Sequence, residues 1–149
     1  MRILMPVDCS KFSKFSKAAV AFVASRNTLL KSPTEVELVN IQFPVAPRVA
    51  RSLGKEIVQS YYEAQAAKAL KPAAVVLKRA GANAAGRYVV GTVSLELASI
   101  VANDRADLIV MGSHGETGLM TLLLPKPNRL SRLVNRLKIE TCSPTVAST

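Results

Sequence analysis

At 149 residues the chain has the length of one domain, long enough to bury roughly 70% of the surface its unfolded form exposes. Its hydrophobic content of 49% is that of a globular protein, and no run of about 18 apolar residues is present to span a bilayer, so a membrane-spanning protein is excluded. The formal charge of +10, from 20 basic against 10 acidic residues, exceeds what solubility requires and invites an anionic partner: nucleotide, nucleic acid or lipid surface.

Cys9, Cys142 and the single His114 are too few for a disulfide framework or a Cys/His metal centre. The start, Met1 to Val7, reads as a strand and not as a secretory signal, which leads to the expectation of a cytoplasmic protein.

Arg2 to Val7 (RILMPV) is the first strand. Past Asp8, Cys9 and a candidate N-cap at Ser10, the positions Phe12, Phe15, Ala19, Phe22 and Val23 predict a helix. Val36 to Gln42 (VELVNIQ) is the second strand, and Pro44 and Pro47 place the next stretch in a loop. From about Ser52 to Ala80 the chain is alanine-rich and helix-forming; Pro72 is expected to kink or split it, and Gly81 to end it. Arg87 to Val90 is a third strand, and a helix follows with Val93, Leu97, Ile100 and Val101 on one side. Leu108 to Met111 is the fourth strand. After a loop to Pro127, Asn128 caps a helix whose inner face is Leu130, Leu133, Val134 and Leu137, and a short last strand falls at Thr145 to Ala147.

Strands alternating with helices predict a single α/β domain over residues 1–149: a doubly wound, mostly parallel five-stranded sheet with helices on both faces. In such a sheet ligands sit outside the carboxyl ends of the strands where strand order reverses, which here means the loops after Val7, Ile41 and Met111. The third loop, Met111-Gly-Ser-His-Gly-Glu-Thr-Gly118, carries glycines at intervals that let backbone amides approach a phosphate. It matches neither G-x-x-x-x-G-K-[ST] nor a G-x-G-x-x-G after a first strand, and a tight solvated connection explains the glycines equally well.

Pro6-Val7-Asp8 after strand one, Asp107-Leu-Ile-Val-Met-Gly-Ser-His-Gly115 at strand four and Cys-Ser-Pro144 near the end resemble the universal stress protein family over nearly the whole chain. The resemblance implies an adenine-nucleotide alpha-hydrolase-like fold and a cleft for ATP. It implies that Pro6, Val7 and Asp8 lie against the nucleoside, Ile41 against the base, and Met111, Gly112, Ser113, His114 and Gly115 along the phosphate loop. ATP-binding members run G-x2-G-x9-G-[ST] here; Gly112 and Gly115 match, whereas the last two positions are Pro125 and Lys126, followed by Pro127. Proline has no amide hydrogen to donate and Lys126 lacks the hydroxyl, so the phosphate grip is degenerate. Mg2+ is expected only with a bound nucleotide.

Lys11, Lys14, Arg48, Arg51, Lys126 and Arg129 all fall in loops or first helical turns at the same carboxyl edge, where they are separate solvated charges or together hold a polyphosphate. Ser113 and His114 are adjacent in a turn and point apart, with no carboxylate placed to orient the imidazole; slow ATP hydrolysis is the most catalysis expected. The functional expectation is a non-catalytic regulatory module of the stress-protein type. The alternative is a basic interaction protein with an emptied pocket that binds nucleic acid or an acidic partner. The resemblance further implies a homodimer paired through the last strands.

Overall fold

A computed structural model of the protein describes residues 1–7, 14–29, 34–104, 106–112 and 138–142. The elements are β1 (Arg2–Val7), α1 (Lys14–Leu29), β2 (Glu35–Gln42), α2 (Pro47–Leu53), α3 (Lys55–Arg79), β3 (Asn83–Val90), α4 (Val93–Asn103), β4 (Leu108–Gly112) and β5 (Lys138–Cys142). They form one five-stranded sheet in the order β3-β2-β1-β4-β5. Every adjacent pair is parallel, as crossovers through helices demand.

Strand alternation sorts the core into two layers. Ile3, Met5, Val7, Val36, Leu38 and Val110 point to one face, where α1 covers them with Ala19, Val20 and Val23 and α3 with Ala69, Ala73 and Leu77. Leu4, Val39, Ile41, Ile109 and Met111 point to the other, under Leu97, Ile100 and Val101 of α4. The apolar runs of β1, β2 and β4 follow from this, since both faces of these strands are buried.

Small residues set the approach of α3. Its buried stripe is mostly alanine, and opposite it a Cβ at Gly86 would meet Leu70 Cδ1 at 3.3 Å. The helix ends in a Schellman turn: Gly81 takes φ +79°, its amide donates to the Lys78 carbonyl, and the Ala82 amide donates to the Leu77 carbonyl at 3.0 Å.

Several boundaries differ from the sequence reading. Pro72 neither splits nor ends α3, which runs unbroken over 25 residues; Pro72 and Lys68, whose carbonyl loses its amide partner, are both exposed residues, where solvent can compensate. Pro47 starts α2 in place of a loop, because a first helical turn needs no amide there. Gly54, at φ +83°, then separates α2 from α3. β3 begins at Asn83, four residues before the apolar run, because its register on β2 extends from Glu35↔Asn83 to Gln42↔Val90.

The fifth strand is Lys138–Cys142, with Leu108↔Lys138 through Gly112↔Cys142 in register. The expected strand at 145–147 and the helix beginning after Asn128 lie outside the described residues.

At the amino edge of the sheet, Glu37 accepts from Arg2 and from Arg87, each at 2.7 Å, and Arg87 also pairs with Asp104. The bond to Glu37 is the main cause holding the Arg2 guanidinium above its usual pKa. These exposed pairs knit β1, β2, β3 and the end of α4 without contributing much stability individually. The core carries the fold. Leu38→Ala, at a side chain with no exposure, is expected to destabilise the protein by about 2–5 kcal/mol, measured as a shift of the urea midpoint at constant slope.

Candidate functional site

The strand order reverses between β1 and β4: β2 and β3 continue to one side of β1, while β4 and β5 lie on the other. This is the switch point where a doubly wound sheet opens a crevice at its carboxyl edge. β1 and β4 are pinned together at the opposite, amino end. The Arg2 amide donates to Asp107 Oδ2 at 2.8 Å, and the Asp107 amide donates back to the Arg2 carbonyl at 2.9 Å.

From that clamp the paired register runs through Ile3↔Leu108 and Leu4↔Ile109 and goes no further. The reason lies in β1. Its carbonyls alternate, with Met1 bonded toward β2 and Arg2 toward β4, so the amide of residue 6 would face β4. Pro6 has none, so the next bond that β1 would donate to β4 is missing.

The carboxyl end of β1 is held from the other side. Asn40, fully buried on β2, donates from Nδ2 to the Val7 carbonyl at 3.2 Å. Gln42 donates from Nε2 to the Tyr62 carbonyl at 2.9 Å, its own carbonyl accepts from the Gly91 amide at 2.8 Å, and the Tyr62 hydroxyl accepts from the Val45 amide at 2.7 Å. The end of β2 is thereby tied to α3 and β3, and the segment leading into α2 is anchored by Tyr62.

Among the sequence-derived candidates, Pro6 and Val7 end β1, and Met111 and Gly112 end β4, at the same sheet edge. Ile41 and Met111 share the α4 face and are buried in one apolar cluster. Asp8, Ser113, His114, Gly115 and Lys126 lie outside the described residues. Of the cations, Arg48 and Arg51 are exposed on α2, just after the carboxyl end of β2, and Arg51 Nε donates to the Pro47 carbonyl at 3.3 Å. Lys14 opens α1; Lys11, Lys126 and Arg129 are not described.

Asn40 and Gln42 were missed as site residues, and the signal was there: two amides at alternate positions of an otherwise apolar strand require buried partners. A groove of about 400 Å3 lies over the amino halves of β2 and β3, with Arg2, Glu37 and Arg87 in its wall. Those three side chains are already paired with one another, and the groove is at the wrong end of the strands for the switch-point crevice. Among the described residues no cluster of three metal-ligating side chains occurs, and no helix is long and apolar enough to cross a membrane.

The strand order and the helices on both faces define a doubly wound α/β domain. The chain belongs to the universal stress protein family, whose model matches residues 1–128. Among solved structures it is similar to hypothetical protein MJ0577, at 22% identity over 98% of this chain and 97% of that one, with a TM-score of 0.66. It is also similar to an Arabidopsis thaliana universal stress protein family protein with AMP bound, at 14% identity over 98% and 93% of the two chains, with a TM-score of 0.67. A universal stress protein in complex with cAMP matches at 20% identity over 96% and 95%, with a TM-score of 0.55. No curated protein matches the sequence.

Asn40 is the most direct handle on the crevice. Asn40→Ala removes the donor to the Val7 carbonyl and is expected to cost about 1–3 kcal/mol of stability. Accelerated amide exchange confined to the ends of β1 and β2 checks that the loss is local.

Proposed function

We propose that the chain is a single-domain regulatory module whose crevice between β1 and β4 is a weakened adenine-nucleotide site, acting by conformation and not by catalysis. The observation that carries this is the reversal of strand order between β1 and β4, with Pro6 removing one ladder donor at that same carboxyl edge. AMP and cAMP in structures of the same fold support an adenine nucleotide as that ligand. Pro6, Val7 and Asp8 would line the nucleoside side, Ile41 and Met111 the base, and Gly112 to Gly115 the phosphates, with Mg2+ accompanying a bound nucleotide.

The weakness has a physical origin in the sequence. Pro125 and Lys126 replace the glycine and hydroxyl residue that close the phosphate grip in ATP-binding relatives. If each lost bond to a charged phosphate is worth roughly 1.5–3 kcal/mol, two losses turn a micromolar ligand into a millimolar one. Lys126 with Arg48 and Arg51 supplies point charge in place of the lost amides, so residual binding should weaken with ionic strength. Pairing of two copies would run through the sheet edge formed by β5, whose short polar sequence KIETC makes that contact weak.

Two measurements test the reading. Protein denatured directly after purification should release no stoichiometric adenine nucleotide by mass spectrometry; a near-equimolar amount would refute the degenerate site. In calorimetric titration with ATP, the double substitution Pro125→Gly with Lys126→Ser should tighten binding by roughly a hundredfold or more. Unchanged affinity in that variant would mean that the loop does not grip phosphate. Binding of RNA that ATP fails to compete would favour the basic interaction protein instead.

A further inference from the structure

The outer face of α3 has no explanation in the core or in the crevice. Its buried stripe is Tyr62, Ala66, Ala69, Ala73 and Leu77. At 3.6 residues per turn the opposite side carries Ile57, Tyr61, Ala64 and Val75, interspersed with Lys68, Lys71, Lys78 and Arg79. Ile57 is 57% exposed, Tyr61 51% and Val75 44%, although aliphatic and aromatic side chains on an ordinary solvent face would be polar ones. Both acidic residues of the helix, Glu56 and Glu63, fall off this face, toward the flank. The result is a ridge about 33 Å long, from Ile57 to Arg79, that mixes apolar side chains with positive charge.

We propose that this ridge of α3 docks on the surface of an anionic lipid bilayer, with Ile57, Tyr61 and Val75 entering the headgroup boundary and the lysines meeting lipid phosphates. Charge complementarity selects this occupant. A second copy related by two-fold symmetry would bring the same cations face to face with no carboxylate to meet them. Nucleic acid would satisfy the lysines but has no use for Ile57 and Val75, which cannot stack on bases as aromatic rings do. A flat anionic surface with an apolar layer beneath satisfies both sets of side chains at once.

The absence of a spanning run does not bear on this contact, because a helix lying along the interface needs only one apolar face. A chain of net charge +10 adds long-range attraction to such a surface. The proposal is independent of nucleotide binding, since α3 presents this ridge on the side away from the sheet.

Co-sedimentation of the full chain with vesicles tests it. Phosphatidylcholine–phosphatidylglycerol vesicles should bind the protein at low salt, and pure phosphatidylcholine vesicles should not. Lys68→Gln with Lys71→Gln should weaken binding about thirtyfold. Ile57→Ser with Tyr61→Ser should weaken it at least about tenfold, while far-UV circular dichroism and the urea midpoint stay unchanged. The proposal is overturned if anionic vesicles fail to bind, or if the Ile57 and Tyr61 substitutions have no effect, which would reduce the contact to plain polycation adsorption. It is equally overturned if a single-stranded RNA or an acidic peptide binds tightly in the presence of excess vesicles and loses affinity in both variants.

Discussion

The pairing of β1 with β4 governs what the rest of the molecule can do. Asp107 fixes it at the amino end with a reciprocal pair of bonds to the Arg2 backbone, and Pro6, two residues past Leu4, removes its next donor. A strand in the middle of a sheet is an unfavourable place for proline, since a missing donor interrupts a ladder. Here the missing donor falls where strand order reverses, at the carboxyl ends of β1 and β4. On its other side β1 is tied to β2, where the Asn40 side chain donates to the Val7 carbonyl.

The two layers of the core divide the labour in a different way. On one face α1 and α3 press against residues of β1, β2 and β4, and the alanines of α3 let its axis come close to the sheet. On the other, α4 meets Ile41 and Met111 in a second buried cluster. α3 buries Tyr62 and Leu77 at the ends of a stripe whose middle is alanine, and it also carries Ile57, Tyr61 and Val75 among the cations of its outer face.

Much of this was legible in the residues. The strands RILMPV, VELVNIQ and LIVMG and the helix over Leu97, Ile100 and Val101 follow from period and composition, and their alternation gives the parallel sheet. What was illegible had tertiary causes. Asn83 to Gly86 is a poor strand by propensity and is recruited by its register on β2. Pro72 looks like a break, yet α3 continues through it at an exposed position. In the fifth strand, KIETC, charge at Lys138 and Glu140 obscures the pattern, and only its pairing with β4 identifies it. In the candidate site, Pro6 and the loop glycines announced themselves by type, whereas Asn40 and Gln42 acquire meaning only once the strand around them is known to be buried.

The cations near the crevice and those on α3 belong to different surfaces, and their supports differ. Arg48 and Arg51 ride on α2, which buries no residue of its own and is led into by a segment anchored through the Tyr62 hydroxyl and the Val45 amide. Tyr62 itself lies in the buried stripe of α3, one residue from Tyr61 on the outer ridge. A displacement of α3 relative to the sheet would therefore be felt by the Gln42–Tyr62 bond and by the approach to α2 together.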